Sequence, residues 1–242
     1  MKGKHFIGSM FILLLIAAAC SSADVQAPTT SDIPKSQQTN QDGYILTSDV
    51  NNINDHLDYT DSDQRKVYFA GGCFWGVEAY MGRIYGVSDV TSGYANGTKE
   101  NPSYQDVIKG DDKFVEAVEV TYDPERIDLE TLVDDLFLVI DPPSKNKQGN
   151  DVGVQYRTGI YFQDEKDATI IKKAVNRQQA SYEDEIVTEV QPLDNFYLAD
   201  DEHQDYLEKN PNGYCHIDLR VTDKLAIHPI EKDEAIVKEK SQ

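Results

Sequence analysis

Basic residues are scarce in this chain: 23 Lys and Arg stand against 43 Asp and Glu in 242 residues, a formal net charge of -20. That balance disfavours nucleic acid and anionic membrane surfaces as direct partners of the folded part, and favours solubility. Cysteine is scarcer still, with three residues, Cys20, Cys73 and Cys215. The five His residues show no ligand spacing, so no metal or other cofactor is expected. The longest apolar run, Phe6 to Ala19, falls short of the roughly 18 to 20 residues that a spanning helix needs. No internal repeat is present, and the length points to one moderate domain with appendages.

Lys2 and Lys4 precede the apolar run and Ala17-Ala18-Ala19-Cys20 closes it, so residues 1–19 read as a secretory signal. Small residues directly before a cysteine resemble a lipoprotein signal, in which cleavage leaves Cys20 as the acylated N-terminus. Ala17 stands where Leu is commoner, and an ordinary cleaved signal or an uncleaved anchor is the other reading. The expected location is extracytoplasmic, with a lipid anchor as the only membrane attachment. Residues 20–65 are polar, with Pro28, Pro34 and many Ser, Thr, Gln and Asn, and read as a tether. Flexible, its 45 or so residues would span roughly 40 Å. Tyr44-Ile45-Leu46 is a candidate docking segment within it.

With Cys20 acylated, Cys73 and Cys215 remain, either as one structural disulfide or as a reversible pair. Cys73 lies in Gly71-Gly72-Cys73-Phe74-Trp75-Gly76, after the apolar run Val67 to Ala70 and before Val77, Tyr80, Met81 and Ile84 at helical spacing. That is a strand, a tight turn and a helix start. A cysteine at a helix N-terminus sits in the positive end of the macrodipole, which favours thiolate and makes a nucleophile. The competing reading is a small buried Cys beside ordinary core aromatics.

Val87 to Tyr94 reads as a strand, Asn96-Gly97 as a turn, and Pro102 as the first turn of a short helix reaching Val107 or Ile108. Phe114 to Tyr122 alternates as a strand, with Glu116 on its more apolar face together with Val118, Val120 and Tyr122. A charged, unpaired Glu would cost energy there; at a strand end it would point to solvent instead. Asp128 caps a helix whose Leu129, Leu132, Val133, Leu136, Phe137 and Ile140 share a face. Thr158 to Phe162 is a strand, Asp164 opens a helix through Ile171 and Val175, and Ile186 to Val190 is a strand. Ala199 to Leu207 reads as a short helix, Cys215 lies in a loop, and the charged tail 223–242 reads as surface or frayed. This alternation argues for a mixed α/β or α+β sandwich over 66–222.

The stretch Gly72-Cys73-Phe74-Trp75-Gly76 resembles the signature of the A-type peptide-methionine sulfoxide reductases, which reduce the S epimer of methionine sulfoxide. Thr91-Ser92-Gly93-Tyr94, Asn101-Pro102-Ser103-Tyr104, Glu116 with Ala117 to Val120, Gln148 to Gly153 and Gln155-Tyr156-Arg157 extend the likeness. His203 to Leu207 and Asn210 to Cys215 complete it, over about Lys66 to Arg220. The resemblance implies a two-layer α/β sandwich with a mixed sheet, related to the ferredoxin-like arrangement. It makes Cys73 the nucleophile, Phe74 and Trp75 walls around the S-methyl group, and Cys215 the recycling cysteine. Glu116, Tyr104 and Tyr156 become the polar groups at the sulfoxide oxygen, supported by Asp151.

That assignment is chemically coherent. Attack of a thiolate on a sulfoxide sulfur requires the oxygen to gain a proton, and a Glu desolvated on an apolar strand face stays protonated at neutral pH. Tyr104 and Tyr156 can donate hydrogen bonds to the same oxygen. The Cys73 sulfenic acid left behind condenses with Cys215 to a disulfide. A thioredoxin-like donor, exported or membrane-associated for an extracytoplasmic enzyme, then reopens it. Oxidised proteins are the expected substrates.

The chain departs from the family in two places. Phe114 stands where many relatives have His, and Tyr214-Cys215-His216-Ile217-Asp218 replaces a Gly-rich continuation bearing a further Cys, which disfavours a three-cysteine relay. The ending resembles members fused to an R-epimer reductase domain, but only a short tail is expected here. Two other functions fit two thiols in an exported chain: a thiol peroxidase or disulfide oxidoreductase, and a non-catalytic binding lipoprotein stapled by Cys73–Cys215.

Overall fold

The computed structural model describes residues 45–46 and 52–241; the expected signal segment 1–19, Cys20 and most of the expected tether lie outside the described residues. The strands are β1 (Ile45–Leu46), β2 (Arg65–Gly71), β3 (Val87–Ala95), β4 (Val115–Tyr122), β5 (Lys147–Gln148), β6 (Asp151–Val152), β7 (Thr158–Phe162), β8 (Glu189–Pro192), β9 (Phe196–Leu198) and β10 (Ala226–Ile227). The α-helices are α1 (Phe74–Met81), α2 (Tyr104–Lys109), α3 (Leu129–Phe137), α4 (Glu165–Gln178), α5 (Tyr206–Lys209) and α6 (Glu234–Lys240). Six strands form one sheet in the order β8-β7-β2-β4-β3-β9. The β7–β8 pair is parallel and the others are antiparallel, so the sheet is mixed and the class α+β.

Period-two alternation sorts the central strands onto two faces. Val67, Phe69, Val118, Val120, Ile160 and Phe162 pack with apolar residues of α1, α3 and α4. Tyr68, Ala70, Ala95, Val115, Ala117 and Tyr161 form a smaller cluster on alternate positions, joined by Leu193 and Phe196. α3 starts where the Asp128 side chain accepts the Thr131 N–H, and its Leu132, Val133 and Leu136 are fully buried. Each such side chain contributes about 1.5–3 kcal/mol relative to exposure. Ser103 and Asp106 form a reciprocal capping box that fixes the start of α2, and thereby Tyr104.

Packing extends beyond residues 66–222 at both ends. Ile53 and Val237 are fully buried in a cluster with Tyr85 and Ile227, and β1 pairs with β10. Asn54 donates to the Gly82 and Ile84 carbonyls at 3.1 and 2.9 Å and accepts the Gly86 N–H at 3.1 Å. The tail is therefore not frayed: Asp233 is buried against Arg126, a partner more than a hundred residues away in the chain. The helix expected over Ala199 to Leu207 is also shorter. Gln204 spends its amide on the backbone of Ser92 and Ala199, Asp205 is left-handed, and the helix begins only at Tyr206.

Candidate active site

The site is built on the turn between β2 and α1. Gly72 has φ +87, and a Cβ there would stand 2.6 Å from the Gln148 Cβ and 2.8 Å from His216 Nε2, so only glycine fits. Cys73 follows as the N-cap of α1, 7% exposed. Burial pushes this thiol up, and the neighbouring Glu116 adds to the shift, outweighing the opposing influence of the Trp75 backbone N–H. Burial thus works against the thiolate that a helix N-terminus favours.

Glu116 lies inside β4, opposite Tyr94 of β3, and is 1% exposed. Its Oε2 accepts the Phe74 N–H at 3.2 Å, and its Oε1 is buried without a hydrogen-bond partner. Burial pushes the carboxyl up to about 8; the Phe74 bond opposes this and the charge of Asp151 reinforces it. That shift favours the protonated acid at neutral pH. Tyr104 comes from the start of α2 and Tyr156 from the 3-10 turn Val154–Tyr156. Burial followed by the Glu116 charge raises both phenols. Asp151 of β6 acts electrostatically on Cys73, Glu116, Tyr104 and Tyr156, so the structure gathers all five residues in one place.

Beside this polar half stands an aromatic half. Trp75 stacks on Tyr206 with ring centroids 3.7 Å apart, and its indole N–H donates to His203 Nδ1 at 3.3 Å. Phe74 and Tyr104 lie 5.3 and 4.8 Å from the His203 ring, and Phe74 also meets Tyr94 at 5.9 Å. Faces of this kind hold a methyl or thioether group by dispersion, at about 0.3–1.5 kcal/mol per sulfur contact. His203, Tyr206 and Tyr94 had no role in the residue-by-residue reading, although all three sit in stretches that carried the resemblance. Glu78, one turn beyond Trp75, accepts the Ser92 hydroxyl at 3.0 Å.

Cys215 reaches the same helix from the other end of the chain. A Cβ at Gly76 would stand 3.1 Å from its sulfur, so the missing side chain lets the second thiol lie on the first turn of α1. Its thiol donates to the Ile217 carbonyl at 3.2 Å, and both cysteines are free thiols. Cys215 is also among the groups acting on Cys73.

Residues 65–234 match the family model described as peptide methionine sulfoxide reductase. The peptide methionine sulfoxide reductase MsrA of Clostridium acetobutylicum is 52% identical over 153 residues, covering 63% of this chain and 94% of that protein. An MsrA of Clostridium botulinum is 53% identical over 155 residues, 64% of this chain and 99% of its own length. Among solved structures, Mxr1 of Saccharomyces cerevisiae in reduced form superposes with a TM-score of 0.61 at 38% identity, over 65% of this chain and 92% of that one. Methionine sulfoxide reductase A of Corynebacterium diphtheriae gives 0.58 at 34% identity, over 66% and 81%. A thiol beside a buried acid and an aromatic box, in a sheet and sequence shared with these enzymes, places the chain in the peptide methionine sulfoxide reductase family.

Proposed function

We propose that the chain reduces methionine-S-sulfoxide in oxidised proteins through Cys73, with Glu116 as the proton donor and Cys215 as the recycling thiol. The observation that carries this reading is the fully buried Glu116 carboxyl, with one oxygen on the Phe74 N–H and the other unpartnered, in a setting that pushes its pKa up to about 8. The S-methyl group lies against Phe74, Trp75 and His203, while the oxygen lies toward Glu116, Tyr104 and Tyr156. A site that fixes methyl, oxygen and attacked sulfur accepts one configuration at sulfur.

In the first step Glu116 gives its proton to the sulfoxide oxygen and takes up the proton that the Cys73 thiol loses. The thiol sulfur attacks, the sulfoxide S–O bond breaks, and the oxygen leaves with Cys73 as a sulfenic acid. The substrate sulfur is reduced and the cysteine sulfur is oxidised, so electrons balance within the pair. Asp151 keeps the acid protonated until it is needed by raising its pKa. Cys215 then closes a disulfide, which a thioredoxin-like dithiol reopens by exchange.

The signal-like segment with Cys20 supports a lipid-anchored, extracytoplasmic enzyme, and hence an exported or membrane-associated donor. A Cys20→Ala variant released from the membrane fraction is the result expected; continued attachment overturns the anchor. The function itself is tested on separated S and R epimers of protein-bound methionine sulfoxide. Turnover of S alone, abolished in Cys73→Ser, is expected, and turnover of R or activity in the variant overturns the assignment.

A further inference from the structure

We propose that His216 is a positioning residue for closure of the Cys73–Cys215 disulfide, a role that rests on the recycling function proposed for Cys215. The dipeptide Cys215-His216 brackets the nucleophile. Cys215 packs against Gly76, three residues after Cys73, and His216 packs against Gly72, the residue before it. Its Nε2 lies 2.8 Å from the Gly71 carbonyl oxygen, which can only accept, so Nε2 carries the proton. The ring is therefore fastened to the turn that presents Cys73. A Cβ at Gly149 would stand 3.3 Å from the His216 Cβ, and the His216 side chain is 4% exposed between that loop and the turn.

Simple space filling does not explain an imidazole in this place. With Nε2 protonated, Nδ1 of the neutral ring is an acceptor, and it faces Asp151 Oδ2 at 3.8 Å. Both atoms are buried without a hydrogen-bond partner. An aliphatic side chain would fill the volume without burying an unpartnered ring nitrogen. What the imidazole adds is the bond to Gly71, which joins two segments 145 residues apart in the chain.

That bond fixes the register in which Cys215 meets Cys73. In the step concerned, the Cys215 sulfur attacks the sulfenic sulfur of Cys73. An S–S bond forms, the S–O bond breaks, and the Cys215 proton leaves with the hydroxyl as water. No outside oxidant or reductant enters, so approach geometry is what the protein must supply. A small misplacement of reacting atoms is enough to slow such a step strongly.

The test separates the two halves of the cycle. His216→Leu fills the site without a donor, and His216→Gln places an amide N–H near the position of Nε2. His216→Ala is measured alongside, and either of the donor-free variants decides. Each protein receives methionine-S-sulfoxide without reductant. Methionine release reports sulfenic acid formation, and thiol counting with mass analysis reports the disulfide. The expected result is parental sulfenic acid formation in all variants, with disulfide formation at least about ten-fold slower in Leu and Ala and largely restored in Gln. Disulfide formation at the parental rate in the donor-free variants overturns the proposal, as does a parallel loss of both steps that Gln does not restore. Absence of the disulfide in the parent overturns the recycling function and this role with it, an outcome distinct from the other two.

Discussion

The Phe74 N–H donates to Glu116 Oε2 at 3.2 Å, so the first residue of the helix that Cys73 caps holds the carboxyl on β4. Glu116 ionises at about 8 because it is buried, and the sign of the resulting pH dependence follows. The protonated form is the acid, so sulfenic acid formation should hold from neutral pH up to about 8 and fall above it. Glu116→Gln should lower the single-turnover rate roughly 100-fold and remove the alkaline limb. A raised folded pKa also means that stability is lost as pH rises through 8. The variant should accordingly gain melting temperature over the parent at pH 9 and not at pH 5. An alkaline limb that survives in the variant reassigns the proton to another group.

Both halves of this contact were legible in sequence, for different reasons. Glu116 stood out because period-two alternation put a carboxyl among Val118, Val120 and Tyr122, and Cys73 because glycine, cysteine and two aromatics followed a strand. The upward shift of the Cys73 thiol was not legible, since it comes first from burial in the folded core and then from Glu116 and Asp151, which folding brings in from β4 and β6. His203 and Tyr206 went unassigned because their contact with Trp75 spans 128 residues in the case of His203 and leaves no local pattern. The tail misled through its charges: Asp233 looks like a surface residue until Arg126 is placed beside it.

Tyr206 stacks on Trp75 at 3.7 Å and closes one side of the aromatic box. Removing a stacked ring costs about 0.5–1.5 kcal/mol beyond its area. Tyr206→Ala should raise KM for protein-bound methionine sulfoxide about three- to ten-fold while kcat stays near the parental value. Steady-state kinetics with dithiothreitol decide this. A loss confined to kcat would remove Tyr206 from methyl recognition.

The two thiols should separate by reductant. Cys73→Ser loses all turnover with any donor. Cys215→Ser retains sulfenic acid formation, and a small dithiol reaches and reduces that sulfenic acid directly. Thioredoxin fails with this variant because no disulfide is presented for exchange. Parallel assays with dithiothreitol and thioredoxin measure the difference, and equal rates with both would remove Cys215 from recycling.

Far from the thiols, Arg126 joins three stretches of chain. Its side chain is 1% exposed and pairs with Asp123, with Asp233 through Nε at 2.6 Å and Nη2 at 3.0 Å, and with the Asp58 carbonyl at 3.0 Å. The Tyr59 ring lies 4.5 Å from the guanidinium, and the Tyr85 hydroxyl donates to Asp233 at 2.7 Å. Burial alone would raise Asp233, but the hydrogen bonds from Arg126 and Tyr85 outweigh it and hold the carboxyl below its ordinary range. Arg126→Ala leaves two buried carboxylates without their cation, a change of about 3–5 kcal/mol in unfolding free energy by urea titration at pH 7. The lowered pKa of Asp233 sets the pH dependence. Its stabilising contribution is present above the unfolded carboxylate range, near 4, and is lost as pH falls through the folded value. The gap between parent and variant should therefore narrow on acidification from above pH 4, where burial lets the stranded Asp233 take up a proton, and further below about pH 4, where the parent loses the Asp233 contribution. A gap that stays constant with pH would mean that Arg126 acts through packing of its stem rather than through its charge.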